Sequence, residues 1–274
     1  MNTLLETSFS RHASAFANAL SLETLRERAP AVLAESPHER TSAKYTFIPT
    51  SQVLQGLMEA GLVPVEARQT QARRASVLHA RHVLRLRRRF ETVSLKDSIP
   101  EIVLLNSHDG TSAYQLRMGI YRVICTNGLI VSRGAFPAYC VSHRGNVVDE
   151  VVSSALKLAE QFDSLAAEVV RMEERPLFKD EQVRFAERAL MMRFADLAES
   201  GMEPSRLLTC RRSEDVGDDL WSVMNRVQEN LLRGGVSRRS VTGRLTRTRR
   251  ISSIREDVRL NSGLWDLARE VLAA

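Results

Sequence analysis

The sequence has few cysteines, few aromatic residues and no long apolar run. The cysteines are three in number, an odd count without a Cys-x-x-Cys pair, which argues against a disulfide scaffold and a structural zinc site. We expect Cys125, Cys140 and Cys210 to be small buried side chains. No apolar stretch approaches the roughly 18 to 20 residues that cross a bilayer, and Met1 to Leu20 lacks a signal-peptide pattern. We therefore expect a soluble, cytoplasmic protein.

Acidic residues are absent from two long segments. Residues 68–89 and 233–255 each contain eight arginines and no Asp or Glu, although the whole chain has a formal net charge of only +6. Such segregated basic runs favour a polyanion-binding site. The alternative is that arginine merely solvates two exposed segments.

Hydrophobic periodicity predicts an α+β fold. Alternating patterns up to about Val141 indicate an N-terminal antiparallel, strand-rich half with hairpins, and helical patterns follow in a C-terminal helical half. We divide the chain into a helical segment over 1–43, a strand-rich region over 44–145 and a helical region over 146–274 whose Arg-rich loop lies at 233–255. The last two regions are expected to form one compact unit. The predicted strands are Leu62 to Ala67, Val83 to Arg89, Glu101 to Leu105, Ala113 to Cys125, Leu129 to Ser132 and Ala138 to Ser142.

Turn signals subdivide the strand-rich region. In the long strand the alternation changes phase at Gly119 to Tyr121, which predicts a β-bulge. Asn127-Gly128 predicts a tight hairpin turn. Asn106 to Ser112 is a polar connection, and its Asp109-Gly110 marks another hairpin tip.

Capping signals and spacing predict the helices. Ser21 and Thr50 are candidate N-caps of two short helices. After Asn146, apolar residues from Val148 to Val169 are spaced four and three apart, which is an a/d seam over three heptads. Such a helix allows a homo-oligomer, or packs on the sheet or on a neighbouring helix. Further helices are predicted from Asp180, after Ser213 and from about Asp257.

The first basic run has a geometry suited to phosphates if it is extended. A strand places Arg85, Arg87 and Arg89 on one face, about 6.6 Å apart, which approaches the phosphate spacing of an extended single strand. A helix over Ser76 to Arg88 is the alternative, and we prefer the strand.

The remaining arginine candidates lie on a neighbouring strand and in the second run. Arg117 lies on the polar face of the long strand, and Arg122 rejoins that face if the bulge forms. The second run lacks the apolar period needed to fold by itself and is predicted to be a mobile loop that orders on a phosphate backbone. The predicted nucleic-acid-binding residues are Arg73, Arg74, Arg81, Arg85, Arg87, Arg89, Arg117, Arg122, Arg238, Arg239, Arg244, Arg247, Arg249 and Arg250.

Other side chains give weaker signals. Tyr45, Phe47 and Phe90 are candidates for base stacking, although each also suits the core. Histidine and carboxylate side chains supply ligand types for a metal-dependent nuclease, but the i,i+3 histidine pair has no nearby carboxylate. We therefore predict no metal site, no cofactor and no catalytic residue. The side chains weighed for the metal site are His79, His82, His108, Asp109 and His143.

Several motifs between Tyr45 and the C-terminus carry a family resemblance. They include Phe47-Ile48-Pro49-Thr50, Asn106 to Ser112, Asn127-Gly128-Leu129, Asp218-Asp219-Leu220-Trp221 and Gln228-Glu229-Asn230-Leu231. In these motifs the chain resembles the uncharacterised domain-of-unknown-function family of plasmid- and prophage-borne proteins that includes YfjQ, YafZ and YubP. The resemblance implies a mobile-element setting and no established activity, so it brings no catalytic residues.

Together these patterns predict a non-catalytic DNA-binding accessory protein of a plasmid or prophage. It contacts the phosphates of single- or double-stranded DNA without sequence preference. The first alternative is an interaction protein that binds a host defence or replication protein, and the second is a metal-dependent nuclease.

Overall fold

The computed structural model describes residues 19–70, 76–89, 98–122, 128–131, 136–240 and 242–274. Strands dominate its N-terminal half and helices its C-terminal half, which confirms the expected α+β class. Contacts divide these residues into two units. Of the described residues, the first unit comprises 19–70, 76–89, 98–121 and 136–163, and the second comprises Arg122, 128–131, 164–240 and 242–274.

The first unit is built around a sheet whose strands follow the predicted ones closely. The strands of the chain's first half are β1 (Leu62–Gln69), β2 (His82–Arg88), β3 (Ser98–Asn106), β4 (Tyr114–Arg122), β5 (Gly128–Ile130) and β6 (Tyr139–Val141), of which β5 belongs to the second unit. The strand order in the first unit is β1-β2-β3-β4-β6, and the pairs β1/β2, β2/β3 and β4/β6 are antiparallel.

Three helices accompany this sheet: α1 (Leu22–Arg28), α2 (Thr50–Glu59) and α3 (Val147–Ala159). The expected seam of three heptads is wrong, because α3 ends at Ala159. Its Val148 and Val152 face Gly56 of α2, where an added Cβ would lie 3.1 Å from both side chains. The first part of the seam therefore packs inside the unit.

The second unit is mainly helical. Its helices are α4 (Phe162–Glu173), which begins at the unit boundary, α5 (Lys179–Arg193), α6 (Leu197–Ser200), α7 (Leu220–Arg233) and α8 (Ile254–Ala273). A two-stranded hairpin of β7 (Ser237–Arg239) and β8 (Leu245–Arg247) completes it. Trp221 of α7 meets Trp265 of α8 edge to face, with ring centroids 6.5 Å apart. None of the described helices is long and apolar enough to cross a membrane.

Several local expectations are corrected. Cys140 and Cys210 are exposed rather than buried, and Cys125 lies outside the described residues. Burial along β4 keeps one phase through Arg122, so the phase change expected near Gly119 does not occur. Asn127 of the predicted Asn127-Gly128 turn also lies outside the described residues.

Candidate functional site

The first arginine run is folded into the interior of its unit. Arg85 and Arg87 of β2 are 2% and 6% exposed. Each donates a hydrogen bond of 2.8 Å to one oxygen of Glu101, a fully buried residue of β3. Glu66 of β1 lies 3.6 Å from the Nε of Arg85, and the guanidinium of Arg87 lies 4.1 Å from the ring centre of Tyr121. The expectation of an exposed basic face is therefore wrong for these two residues, because both are buried and share the carboxylate of Glu101 on the next strand.

Other candidates from this part of the chain are also covered in whole or in part. Arg122 is 5% exposed and forms a 2.7 Å salt bridge with Asp215 of its own unit, so its expected exposure is wrong as well. Arg81, Arg89 and Arg117 are half-buried. The two remaining candidates of the first run are Arg73 and Arg74, which lie outside the described residues.

The second run forms the hairpin β7–β8 instead of an irregular loop. Backbone pairing holds its base, since Gly235 N donates to Thr248 O over 2.8 Å and Thr248 N donates to Val236 O over 2.9 Å. Gly234 lets the two segments at the base come close, since a Cβ there would lie 2.6 Å from the carbonyl carbon of Arg249. Gly201 likewise leaves room for β7, because a Cβ there would lie 1.8 Å from the carbonyl oxygen of Arg239. Arg239 N donates to Gly201 O over 2.7 Å. The run thus folds through backbone hydrogen bonds and glycine contacts, which need no apolar period.

The two faces of the hairpin differ in exposure. Ser237 pairs with Arg247, and Arg239 pairs with Leu245. Because paired residues and residues two apart share a face, Arg239, Leu245 and Arg247 point to the same side. All three are exposed. Arg238 points to the other side, where it donates to the carbonyl of Glu199 over 2.9 Å and lies 5.1 Å from the ring centre of Phe194.

An exposed cationic surface results, which we call the basic hairpin. It consists of five exposed arginines, none of which forms a salt bridge with a carboxylate of the described chain: Arg239, Arg244, Arg247, Arg249 and Arg250. These five arginines are among the fourteen predicted nucleic-acid-binding residues. Arg238, another of the fourteen, lies on the inner face of the hairpin and contacts the rest of its unit.

A buried polar cluster in the first unit was missed by the sequence analysis. Its centre is the hydroxyl of Thr50, which lies 2.9 Å from His82 Nε2, 3.0 Å from His108 Nε2 and 3.2 Å from Tyr114 Oη. Asn106 donates to the same hydroxyl over 3.2 Å. Thr50 is therefore not the side-chain N-cap that we expected. His108 lies in the predicted connection between the neighbouring strands β3 and β4, and its side chain is fully buried.

The contacts assign the protons of this cluster. His82 Nδ1 donates to the Ala80 carbonyl over 3.0 Å, so its Nε2 accepts the proton of Thr50. His108 Nε2 then donates to the remaining lone pair of Thr50, which leaves His108 Nδ1 as an acceptor without a hydrogen-bond partner among the described residues. Similarly, His143 Nε2 donates over 3.0 Å to Asn106 Oδ1. All three imidazoles are neutral in this arrangement.

Burial favours these neutral forms. Desolvation lowers the pKa of His82 to about 4 and that of His108 to about 3. It also lowers the pKa of His143, although the backbone of Ser112 and Thr46 opposes the shift. Burial alone would raise the pKa of Asp109, but hydrogen bonds from Ser107 and Thr111 outweigh it and lower the pKa.

The convergence of these histidines does not form a metal centre in the described part of the chain. No three His, Cys, Asp or Glu side chains there are arranged to hold a metal ion. His79 makes separate contacts, with the Ser36 carbonyl and the ring of His38. The sequence held one signal for this cluster. Two of the motifs that carry the family resemblance, Phe47 to Thr50 and Asn106 to Ser112, contact each other in it.

Comparison with known proteins identifies relatives over most of the chain. The profile of the family described as "Domain of unknown function (DUF932)" matches residues 37–265. The "UPF0380 protein YafZ" of Escherichia coli (strain K12) is 38% identical over 254 residues, which cover 92% of both chains. The "UPF0380 protein YfjQ" of the same strain gives the same identity and coverage. No solved structure matches.

Proposed function

The chain belongs to the DUF932 family, and from its own side chains we propose that it binds DNA through the phosphates, using the basic hairpin. The observation that carries this proposal is the set of five exposed arginines without carboxylate partners in the described chain. Elsewhere in the described chain, the buried arginines Arg85, Arg87 and Arg122 form salt bridges with Glu101 or Asp215. Charge left without a partner on an exposed surface suits a ligand that brings negative charge of its own.

The shape of this surface suits a nucleic-acid backbone. A two-stranded antiparallel ribbon fits the major groove of B-form DNA, and Arg239 and Arg247 lie on one of its faces. Arginine forks bind phosphate oxygens in bidentate fashion. Both single and double strands present such phosphates, so the ribbon supports binding without base recognition.

The proposed role is binding rather than catalysis. Guanidinium groups remain charged throughout the physiological pH range and transfer no proton, which suits a scaffold for DNA. Taken with the mobile-element setting that the family resemblance implies, this gives an accessory DNA-binding protein of a plasmid or prophage that works in the cytoplasm.

A salt titration tests the proposal. The double variant Arg239→Glu/Arg247→Glu should bind fluorescein-labelled DNA more weakly, and the slope of log K against log salt should flatten. The expected change is about 0.7 per lost phosphate contact on single strands and about 0.9 on duplex. The matched control is Arg26→Glu/Arg171→Glu, because these arginines are also exposed but lie on α1 and α4, outside both runs.

The outcomes separate the candidate functions. Equal slopes for the two double variants would remove the basic hairpin from the DNA site. No DNA binding by the unmodified protein would favour the protein-interaction alternative. Cleavage that depends on an added divalent metal would favour the nuclease.

A further inference from the structure

A pocket of about 300 Å³ opens on the first unit beside the buried polar cluster. Three chain segments form it: residues 42–45, the connection that follows β3, and the residues after β6. Tyr45 and His143 both line it. This volume matches the lower end of the range for small-ligand sites.

The aromatic wall is the end of a stack of three rings. Tyr114 is fully buried and lies 4.9 Å from His143, and His143 lies 4.6 Å from Tyr45 with an angle of 30° between the ring planes. His143 is only 6% exposed, whereas Tyr45 is half-buried and also lines the pocket. The stack thus runs from the core to the pocket and ends there on a ring that is partly open. A planar heterocycle is the group that would extend it.

The rim of the pocket is cationic. Lys44 and Arg144 are exposed lining residues, and neither forms a salt bridge within the described chain. Ser42 and Ser142 also line the pocket and are exposed. Ammonium, guanidinium and hydroxyl groups together are donors for a phosphate.

Two polar atoms of the aromatic wall are unused. Tyr45 Oη and His143 Nδ1 are shielded from solvent and have no hydrogen-bond partner in the described chain. Because His143 Nε2 carries the proton donated to Asn106, its Nδ1 is an acceptor. Desolvation, followed by the charge of Asp109, raises the pKa of Tyr45 to about 12, so its hydroxyl remains a donor. Both atoms are covered by the protein, so the face of the Tyr45 ring, and not its hydroxyl, is left to contact a ligand in the pocket.

We propose that this pocket binds one nucleotide of a single strand, with the base stacked on Tyr45 and a phosphate held by Lys44 and Arg144. This inference rests on the proposed DNA binding and adds a second contact, in the other unit. A base inside a duplex is stacked on both sides and offers no open face. The pocket therefore gives the protein a preference for single strands.

Photo-crosslinking locates the contact. We would irradiate the protein with an oligothymidine 12-mer that contains one 5-iodo-deoxyuridine, and separately with 5-iodo-deoxyuridine monophosphate. Mass spectrometry should find the crosslink at Tyr45 with both probes. Crosslinks found only outside residues 42–45, 110–113 and 142–144 would overturn the inference.

Variants measure the same contact by affinity. Tyr45→Leu should weaken binding of the 12-mer about tenfold, since one stacked base is lost, whereas Tyr45→Phe keeps the ring and should bind within about twofold. Lys44→Ala/Arg144→Ala should flatten the salt slope by about 0.7 per lost contact. The control Lys157→Ala/Arg26→Ala removes the same charges from exposed positions that do not line the pocket and should change nothing. Unchanged affinity of a folded Tyr45→Leu would contradict the proposal.

The two proposals fail separately in this design. If Arg239→Glu/Arg247→Glu weakens binding but Tyr45→Leu does not, the basic hairpin remains a DNA site and the nucleotide pocket is wrong. If Tyr45→Leu weakens binding and the hairpin variant does not, the pocket remains and the hairpin proposal is wrong. If neither variant changes binding, both are wrong.

Discussion

Strand β2 and the basic hairpin come from sequence segments with the same signature, yet their arginines have opposite environments. Each segment has eight arginines and no acid. In β2, Arg85 and Arg87 are buried against Glu101. In the hairpin, Arg239 and Arg247 are exposed without a carboxylate partner in the described chain. A basic run therefore predicts a charged segment but not whether its charge reaches solvent.

The difference lies on the neighbouring strand. Glu101 is 14 and 16 residues from its two arginines along the chain, so a local count of charge does not include it. Sheet pairing brings it beside them, with Arg85 opposite Val103 and Leu86 opposite Ile102. One internal carboxylate thereby turns two candidate phosphate ligands into a structural ion-pair network.

The largest expected effect comes from removing that carboxylate. Glu101→Gln removes the buried carboxylate that Arg85 and Arg87 share, although Glu66 stays 3.6 Å from Arg85 Nε. Breaking a buried pair in this way costs about 3–5 kcal/mol of unfolding free energy. Urea denaturation measures it.

An exposed pair supplies the control for this prediction. Glu270 forms a salt bridge with Arg188, and both side chains are about half exposed. Glu270→Gln should cost less than about 1 kcal/mol. Similar losses for the two variants would mean that the β2 network is not structural, and the contrast between the two runs would disappear.

The next effect is a pH dependence that belongs to the first unit. The pKa values of His82 in β2 and of His108 are lowered to about 4 and about 3 in the folded protein, from 6.5. Above pH 6.5 both histidines are neutral in either state. As the pH falls towards 4, the unfolded chain takes up protons that the fold excludes, so stability decreases by about 1.4 kcal/mol per pH unit for each histidine.

Denaturation at a series of pH values checks this slope. The variant His82→Gln/His108→Gln should show a shallower pH dependence, even if it is less stable throughout. Neither histidine lies in the basic hairpin, so the salt slope of DNA binding should not change over this range while the protein remains folded. A stability of the unmodified protein that is constant from pH 6.5 to 4 would contradict the assignment of neutral, buried imidazoles.

Periodicity in the sequence predicted most elements of the fold. Period-two patterns located β1, β2, β3 and β6 to within a few residues, and period-3.6 patterns located the long helices. Both kinds of signal are local, which is why they succeeded. The heptad seam failed because an apolar spacing does not show where a helix ends: α3 stops at Ala159.

The polar cluster and the hairpin depended on non-local contacts. Thr50 meets His82, His108 and Tyr114, which are 32, 58 and 64 residues away, and no spacing rule joins them. The hairpin forms through backbone bonds and the glycine contacts at Gly201 and Gly234, which leave no mark in an apolar pattern. The composition of both sites was visible in the sequence, but their assembly was not.

The smallest effects come from single arginines, and they test the comparison most directly. Arg247→Gln should change the unfolding free energy by less than about 0.5 kcal/mol, because the side chain is exposed, and should flatten the salt slope of single-strand binding by about 0.7. Arg85→Gln should do the reverse: it leaves Glu101 with one fewer buried partner and destabilises the fold, while the slope stays the same in conditions where the variant is folded. Urea denaturation and salt-titrated anisotropy on both variants give the four values. If folded Arg85→Gln flattens the slope of log K against log salt, then β2 contacts DNA despite its burial, and the first arginine run belongs to the binding surface.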